Sequence, residues 1–229
     1  IGRAPSLMIE ILERVRAAGL SKHLLVIGTN ALFAYESRSG VRFGSGITAT
    51  EDVDLLWDSR KSLSLVSDAT FNEDGLLGVI RKADATFELM EEGYRAVNSK
   101  GYMVDLIKRR KKSLFDEKEP QQMIRHEQDF WAVKEHSMEW LLSAPRFEQA
   151  IVGANGRMTE MMTIDPRAFV LHKIWLSQKH DREPTKKPRD NAQAIAVFEL
   201  IQERFPQLAF EQIHVFPEHV RQLLTSRLA

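Results

Sequence analysis

The chain has no cysteine. Disulfides, a thiolate nucleophile and thiolate-bound zinc are therefore excluded, which fits a cytoplasmic protein. It also lacks an excess of either charge: 32 Lys and Arg balance 32 Asp and Glu over 229 residues. No overall field draws it to nucleic acid or to a membrane, so any such preference must come from a local patch. No apolar stretch approaches the roughly 20 residues of a membrane span, and no secretory signal pattern is visible. Internal repeats and low-complexity segments are missing as well. The opening IGRAPSLM has no initiator methionine, which fits a fragment or trimmed chain with residues upstream. The length can bury a real core, as one large domain or two small ones.

What is present divides by texture. Ser6 stands where it could cap a helix running to about Ala18, with Leu7, Met8, Ile11, Leu12 and Val15 on one face and Gly19 at its end. HLLVIG (23–28) is a short buried strand, and NALFAYESRSG (30–40) a helix opened by an asparagine cap. RFGSGITATE is a Gly/Ser/Thr loop feeding the strand DVDLLWD, and EDGLLGVIRKAD suggests a helix. TFELM, YRAVN and GYMVDLIK follow as strands, the last two paired through Ser99–Lys100–Gly101. WAVKE, MEWLLSAP and FEQAIVG add further strands and a short helix. From Asp165 the pattern is helical: DPRAFVLHKIWLSQ has an aspartate cap and a proline in its first turn, and NAQAIAVFELIQERF and EHVRQLLTSRL follow. The expectation is a mixed α/β half over residues 1–160 and a helical part over 161–229.

The chemistry concentrates in the acids. Residues two apart in a strand share a face, about 6–7 Å apart, so Asp52 and Asp54 project together while Val53 and Leu55 face away. Two bare carboxylates raise each other's pKa unless a cation lies between them. Magnesium takes hard oxygen ligands, commonly one or two carboxylates with phosphate oxygens. Asp105, between Val104 and Leu106 in YMVDLIK, would supply a third acid if its strand lay beside DVDLL. Three acids suffice for two metals about 3.5–4 Å apart, the clamp used for in-line attack at phosphorus. Each acid also has a plain structural reading: lone D-x-D pairs and lone strand-end aspartates are commonly solvated.

VIGTNALFAYE, then EDVDLLWD, then YMVDLIK resembles the nucleotidyltransferase superfamily with the polymerase-beta-like fold, and more narrowly a bacterial branch of nucleotidyltransferase-like proteins. The likeness covers roughly residues 20–200. It implies an α+β fold, a mixed β-sheet core with helices packed on it, followed by the helical C-terminal region. It also implies that Asp52, Asp54 and Asp105 are catalytic and hold two Mg2+ ions, with Mn2+ as a substitute. Gly28 and Thr29 would then cradle the phosphates of a nucleoside triphosphate such as ATP. Thr29 stands where the family has serine or glycine, and the 23 residues between Gly28 and Asp52 exceed the usual spacing. The tail HKIWLSQKHDREPTKKPRDNAQA is similar to the lysine helix and basic–aspartate motif of the toxin-like branch. By that likeness Lys173 reaches the triphosphate, Arg189 assists, and Asp190 orients the lysine or caps its own helix.

The expected activity is Mg2+-dependent transfer of a nucleoside monophosphate to an acceptor hydroxyl on RNA, a protein or a small molecule. Two alternatives stay open: a toxin that modifies transfer RNA beside an antitoxin partner, and a non-catalytic relative that binds a nucleotide or a protein. A metal-dependent phosphohydrolase lacks its usual histidine cluster here. Lys179, Arg182, Lys186 and Lys187 also read as a solvated loop, and His172, Trp57 and Trp175 as packing residues. KRRKK (108–112) is the one charge run, exposed or else a rim contact for a polyanion.

Overall fold

The acid-bearing runs become neighbouring strands. The computed structural model describes residues 2–63, 66–110 and 120–227. Its strands are β1 (Leu24–Ile27), β2 (Asp52–Trp57), β3 (Glu88–Leu89), β4 (Arg95–Val97), β5 (Met103–Arg109), β6 (Val133–Glu135), β7 (Arg146–Val152) and β8 (Met158–Ile164). They form one mixed sheet in the order β3-β4-β5-β2-β1-β8-β7, with β6 also paired to β5. The helices are α1 (Ser6–Ala17), α2 (Leu32–Ser39), α3 (Ser45–Thr48), α4 (Ala69–Arg81), α5 (Met138–Ser143), α6 (Pro166–Gln178), α7 (Lys187–Arg204) and α8 (Glu218–Arg227). The fold is α+β.

β2 is the pivot. It runs parallel to β5, with Asp54 opposite Asp105, and antiparallel to β1, with Asp54 opposite Ile27. Val53 and Leu55 are fully buried on the far face, leaving Asp52 and Asp54 on the near one. The period of two that governs strands makes this division. β4 and β5 join through the expected turn, where Gly101 N–H donates to the Asn98 carbonyl at 3.0 Å.

The helix starts differ from expectation. Ser6 is the first residue of α1 rather than its cap; Pro5 precedes it and no side chain caps the end. Asn30 caps nothing either, because residues 28–31 form a 3-10 turn ahead of α2. Its amide instead donates to the Asp52 carbonyl at 2.5 Å, tying that turn to β2. α4 begins earlier than the pattern suggested, with Asp68 accepting from the Phe71 N–H at 2.8 Å, and it kinks at Gly75 (φ 70°). The buried Asp129 carboxylate seats itself there, accepting from Leu76 and Leu77 N–H. Any side chain at Gly75 would overlap it.

β8 escaped the sequence reading. Its inward residues include Thr159 and Thr163 and its outward ones include Met158, so the hydrophobic alternation is blurred. Thr163 still serves the sheet, donating its hydroxyl to the Val26 carbonyl. The charge run also behaves differently from an exposed rim. Lys108 is fully buried, donating to the Pro120 carbonyl at 2.7 Å with its ammonium over Trp57. Arg109 pairs with Glu139 at 2.8 Å. Strand alternation turns part of the run inward; Lys111 and Lys112 lie outside the described residues.

Candidate active site

The eight candidate site residues meet in one cleft of about 230 Å3. Gly28, Thr29, Asp52, Asp54, Asp105, Lys173, Arg189 and Asp190 all line it, joined by Thr50, Arg95, Arg182 and Lys186. The sheet supplies the floor. Adjacent strands stand about 5 Å apart, so the register that sets Asp54 against Asp105 brings their carboxyls onto one patch. Asp54 sits half-buried, and its pKa is raised to about 7. Desolvation is the largest cause, followed by the charges of Asp52 and Asp105; Lys173 and Arg95 partly offset them. Asp52 accepts a hydrogen bond from the Thr50 hydroxyl. Asp105 is held bidentately by Arg95, Nε to Oδ1 at 2.7 Å and Nη2 to Oδ2 at 2.6 Å.

The wall over Asp54 is the turn after β1. Gly28 has φ 67°, and a Cβ built there would overlap the Asp54 carboxylate. Only glycine lets this backbone approach so closely. Thr29 is fixed from α7: its hydroxyl oxygen accepts from Arg189 Nη2 and from Gln193 Nε2, each at 3.1 Å. A hydroxyl has two acceptor lone pairs and one proton, so with both lone pairs taken the Thr29 O–H remains free to donate. The same two α7 side chains reach the long segment between α2 and β2. Arg189 donates to the Ala49 carbonyl, and Gln193 to that of Ile47 at 2.7 Å. The extra spacing between Gly28 and Asp52 is thus absorbed by a segment stapled to α7.

The third wall is a clasp. Asp165 caps α6 by accepting from the Arg167 N–H at 2.8 Å, and α6 carries Lys173 toward the cleft. Asp190, 2 % exposed, accepts from Lys173 Nζ and Arg182 Nε, each at 2.7 Å. Burial pushes the Asp190 pKa up, but these two cations outweigh it and the net shift is downward. Burial likewise lowers the pKa of Lys173, against the pull of Asp190. His172 stacks on Trp175 and lies 3.1 Å from the Ser137 hydroxyl. Burial, then the Lys173 charge, lowers its pKa to about 3, so it stays neutral. Trp57 is core. Trp175 is only half-buried and lines a neighbouring cavity of about 510 Å3, which shares Gly28, Asp54, Asp105 and Lys173 with the cleft.

The donor set suits a hard divalent ion. Asp52 and Asp54 offer oxygens on one patch, and their mutual repulsion marks a place short of positive charge. Among the described residues no group of three or more acids or histidines stands ready as a metal cage, consistent with Arg95 holding both oxygens of Asp105. Sequence reading missed Arg95, Thr50 and Gln193. Arg95 had a usable signal: counting outward from the turn at Lys100 sets it directly across from Asp105.

A nucleotidyltransferase family model matches residues 6–215. No curated protein matches the chain. Among solved structures it is similar to an antigenic nucleotidyltransferase-like protein from Paracoccidioides brasiliensis, at 18% identity and a TM-score of 0.46. That likeness covers 99% of this chain and 89% of the other. With the family model spanning both the sheet and the helices that enclose the cleft, the chain belongs to the nucleotidyltransferase family.

Proposed function

We propose that the chain transfers a nucleoside monophosphate from a nucleoside triphosphate to an acceptor hydroxyl, releasing pyrophosphate. The observation that carries this reading is the convergence of Asp52, Asp54 and Asp105 beside the Gly28–Thr29 turn, under a cationic wall of Lys173, Arg182, Lys186 and Arg189. Anions gain from a backbone with no intervening side chain and from fixed positive charge. The triphosphate lies against Gly28, its oxygens accepting the free Thr29 O–H and facing the four cations. Asp190 keeps Lys173 aimed into the cleft and lowers the entropy cost of holding it there.

Asp52 and Asp54 would hold one Mg2+ and Asp105 a second, which when bound would neutralise phosphate charge and acidify the acceptor hydroxyl. An Asp105 carboxylate oxygen, once released by Arg95, accepts the acceptor proton. The acceptor oxygen then bonds to the α-phosphorus while the bond from that phosphorus to the bridging oxygen breaks, and the electron pair leaves with pyrophosphate. Positioning and charge stabilisation carry such chemistry, with little covalent work for the protein. The adjoining 510 Å3 cavity, where Tyr94, Ile107, Met138 and Trp175 stand among charged side chains, is of a size to take the organic part of one reactant.

The test is to incubate the protein with labelled triphosphates, Mg2+ and cell extract, then ask whether label reaches RNA, protein or a small molecule. Mg2+-dependent labelling with pyrophosphate release is expected. Tight nucleotide binding without release would instead identify a non-catalytic binder.

A further inference from the structure

We propose that Arg95 is a positioning residue that occupies the Asp105 carboxylate in the resting chain and yields it to a divalent cation only on being drawn aside. This inference rests on the site reading above. Arg95 and Asp105 are cross-strand partners in the antiparallel β4–β5 pair. The two bonds, at 2.7 and 2.6 Å, take both carboxylate oxygens, the same atoms a cation would need. Among the described residues, by contrast, no arginine bonds the carboxylate of Asp52 or Asp54, although the Arg95 charge reaches Asp54. The three acids are therefore not equivalent: the protein itself pairs Asp105 but not the other two.

Of the two partners, Arg95 is the one able to move. The Asp105 side chain is 9% exposed, on a strand flanked by β2 and β4, whereas that of Arg95 is 31% exposed. Its guanidinium lies 5.6 Å from the Tyr94 ring centroid and borders both the 230 Å3 cleft and the 510 Å3 cavity. Released from Asp105, it stays among the reactants, where an anionic group can take up its charge. The other charged groups lining the cleft with Asp105 are Asp54, in register with it, Asp52 on the same strand as Asp54, and Lys173, Arg182, Lys186, Arg189 and Asp190 from the helical side. Asp54 repels an unpaired Asp105, so that carboxylate favours whichever cation is present.

The experiment titrates Mn2+ into the full chain and follows free Mn2+ by electron paramagnetic resonance, with R95Q, R95K and D54N alongside. The unaltered chain should show one strong site that D54N weakens, and a second, weaker site. In R95Q the second site should tighten by about tenfold or more, because the cation no longer has to displace charge-assisted hydrogen bonds from the carboxylate. R95K, which retains the charge but not the two-pronged grip, should fall between. Equal second-site affinity in R95Q and the unaltered chain overturns the proposal, and should R95Q fail to fold, equal affinity in R95K does so. If D54N leaves Mn2+ binding untouched, the reading of the acid cluster itself fails and the Arg95 role fails with it.

Discussion

The two ends of β2 treat the same side chain in opposite ways. Just past its C-terminal end, Asp58 is 1% exposed and held by Arg60 at 2.7 Å and Arg146 at 2.6 Å. Burial raises its pKa, but the Arg60 hydrogen bonds and both positive charges more than reverse that, and the net shift is downward. Near the N-terminal end, Asp54 faces two further carboxyls, and its pKa climbs to about 7. One acid is neutralised and stabilises the fold. The other is left short of positive charge at a cleft, a cost that a structural role alone would not sustain.

The comparison can be broken from either end. The largest effect is expected at Asp54. D54N should lower the rate of Mg2+-dependent pyrophosphate release by about a thousandfold or more while leaving the circular dichroism spectrum unchanged. Next is the opposite end: D58A should cost about 3 kcal/mol in urea denaturation, since it strands two arginines beside the core. Its folded fraction should retain turnover.

The pH dependence separates the two acids further. Asp54 titrates near 7 in the cation-free fold and near 3.9 unfolded. Between about pH 4 and 7 the folded state therefore binds more protons than the unfolded one, so stability falls as pH rises through that window and levels above it. Asp58, shifted downward, adds stability above about pH 4 that is lost as pH falls through its folded pKa. D54N should flatten the neutral-side decline, raising stability at pH 8 by on the order of 1–3 kcal/mol. Urea titrations at pH 4.5, 7 and 8 measure this directly. The smallest effect is expected at the wall: T29V removes one hydroxyl donor, and the acceptor of Arg189 and Gln193, which keep their bonds to the Ala49 and Ile47 carbonyls; it should raise the triphosphate KM by a few-fold, near the roughly 1 kcal/mol worth of one hydrogen bond.

Asp52, Asp54 and the buried face of Val53 and Leu55 were legible because strand alternation alone decides which residues share a face. Gly28 and Thr29 were legible through the order of their motif, and Lys173 and Asp190 only through the likeness of the tail to a family motif. Less visible were contacts set by tertiary register. Asn30 looks like a cap but bonds across to β2, and Gln193 sits mid-helix in α7 yet staples Thr29 and the segment before β2. Arg182 reads as a solvated loop residue until the fold brings it to Asp190. Lys108 reads as surface charge, and only its place in β5 turns it inward. Such partners depend on how two distant segments approach, which composition and periodicity do not encode.

The most direct test of the central claim is a crystal of the full chain grown with Mn2+ and a non-hydrolysable triphosphate. The account predicts anomalous Mn2+ density within about 2.5 Å of the Asp52 and Asp54 carboxylates, with phosphate oxygens against Gly28 and Thr29. A nucleotide lodged elsewhere, or Mn2+ absent from those two carboxylates, would contradict it.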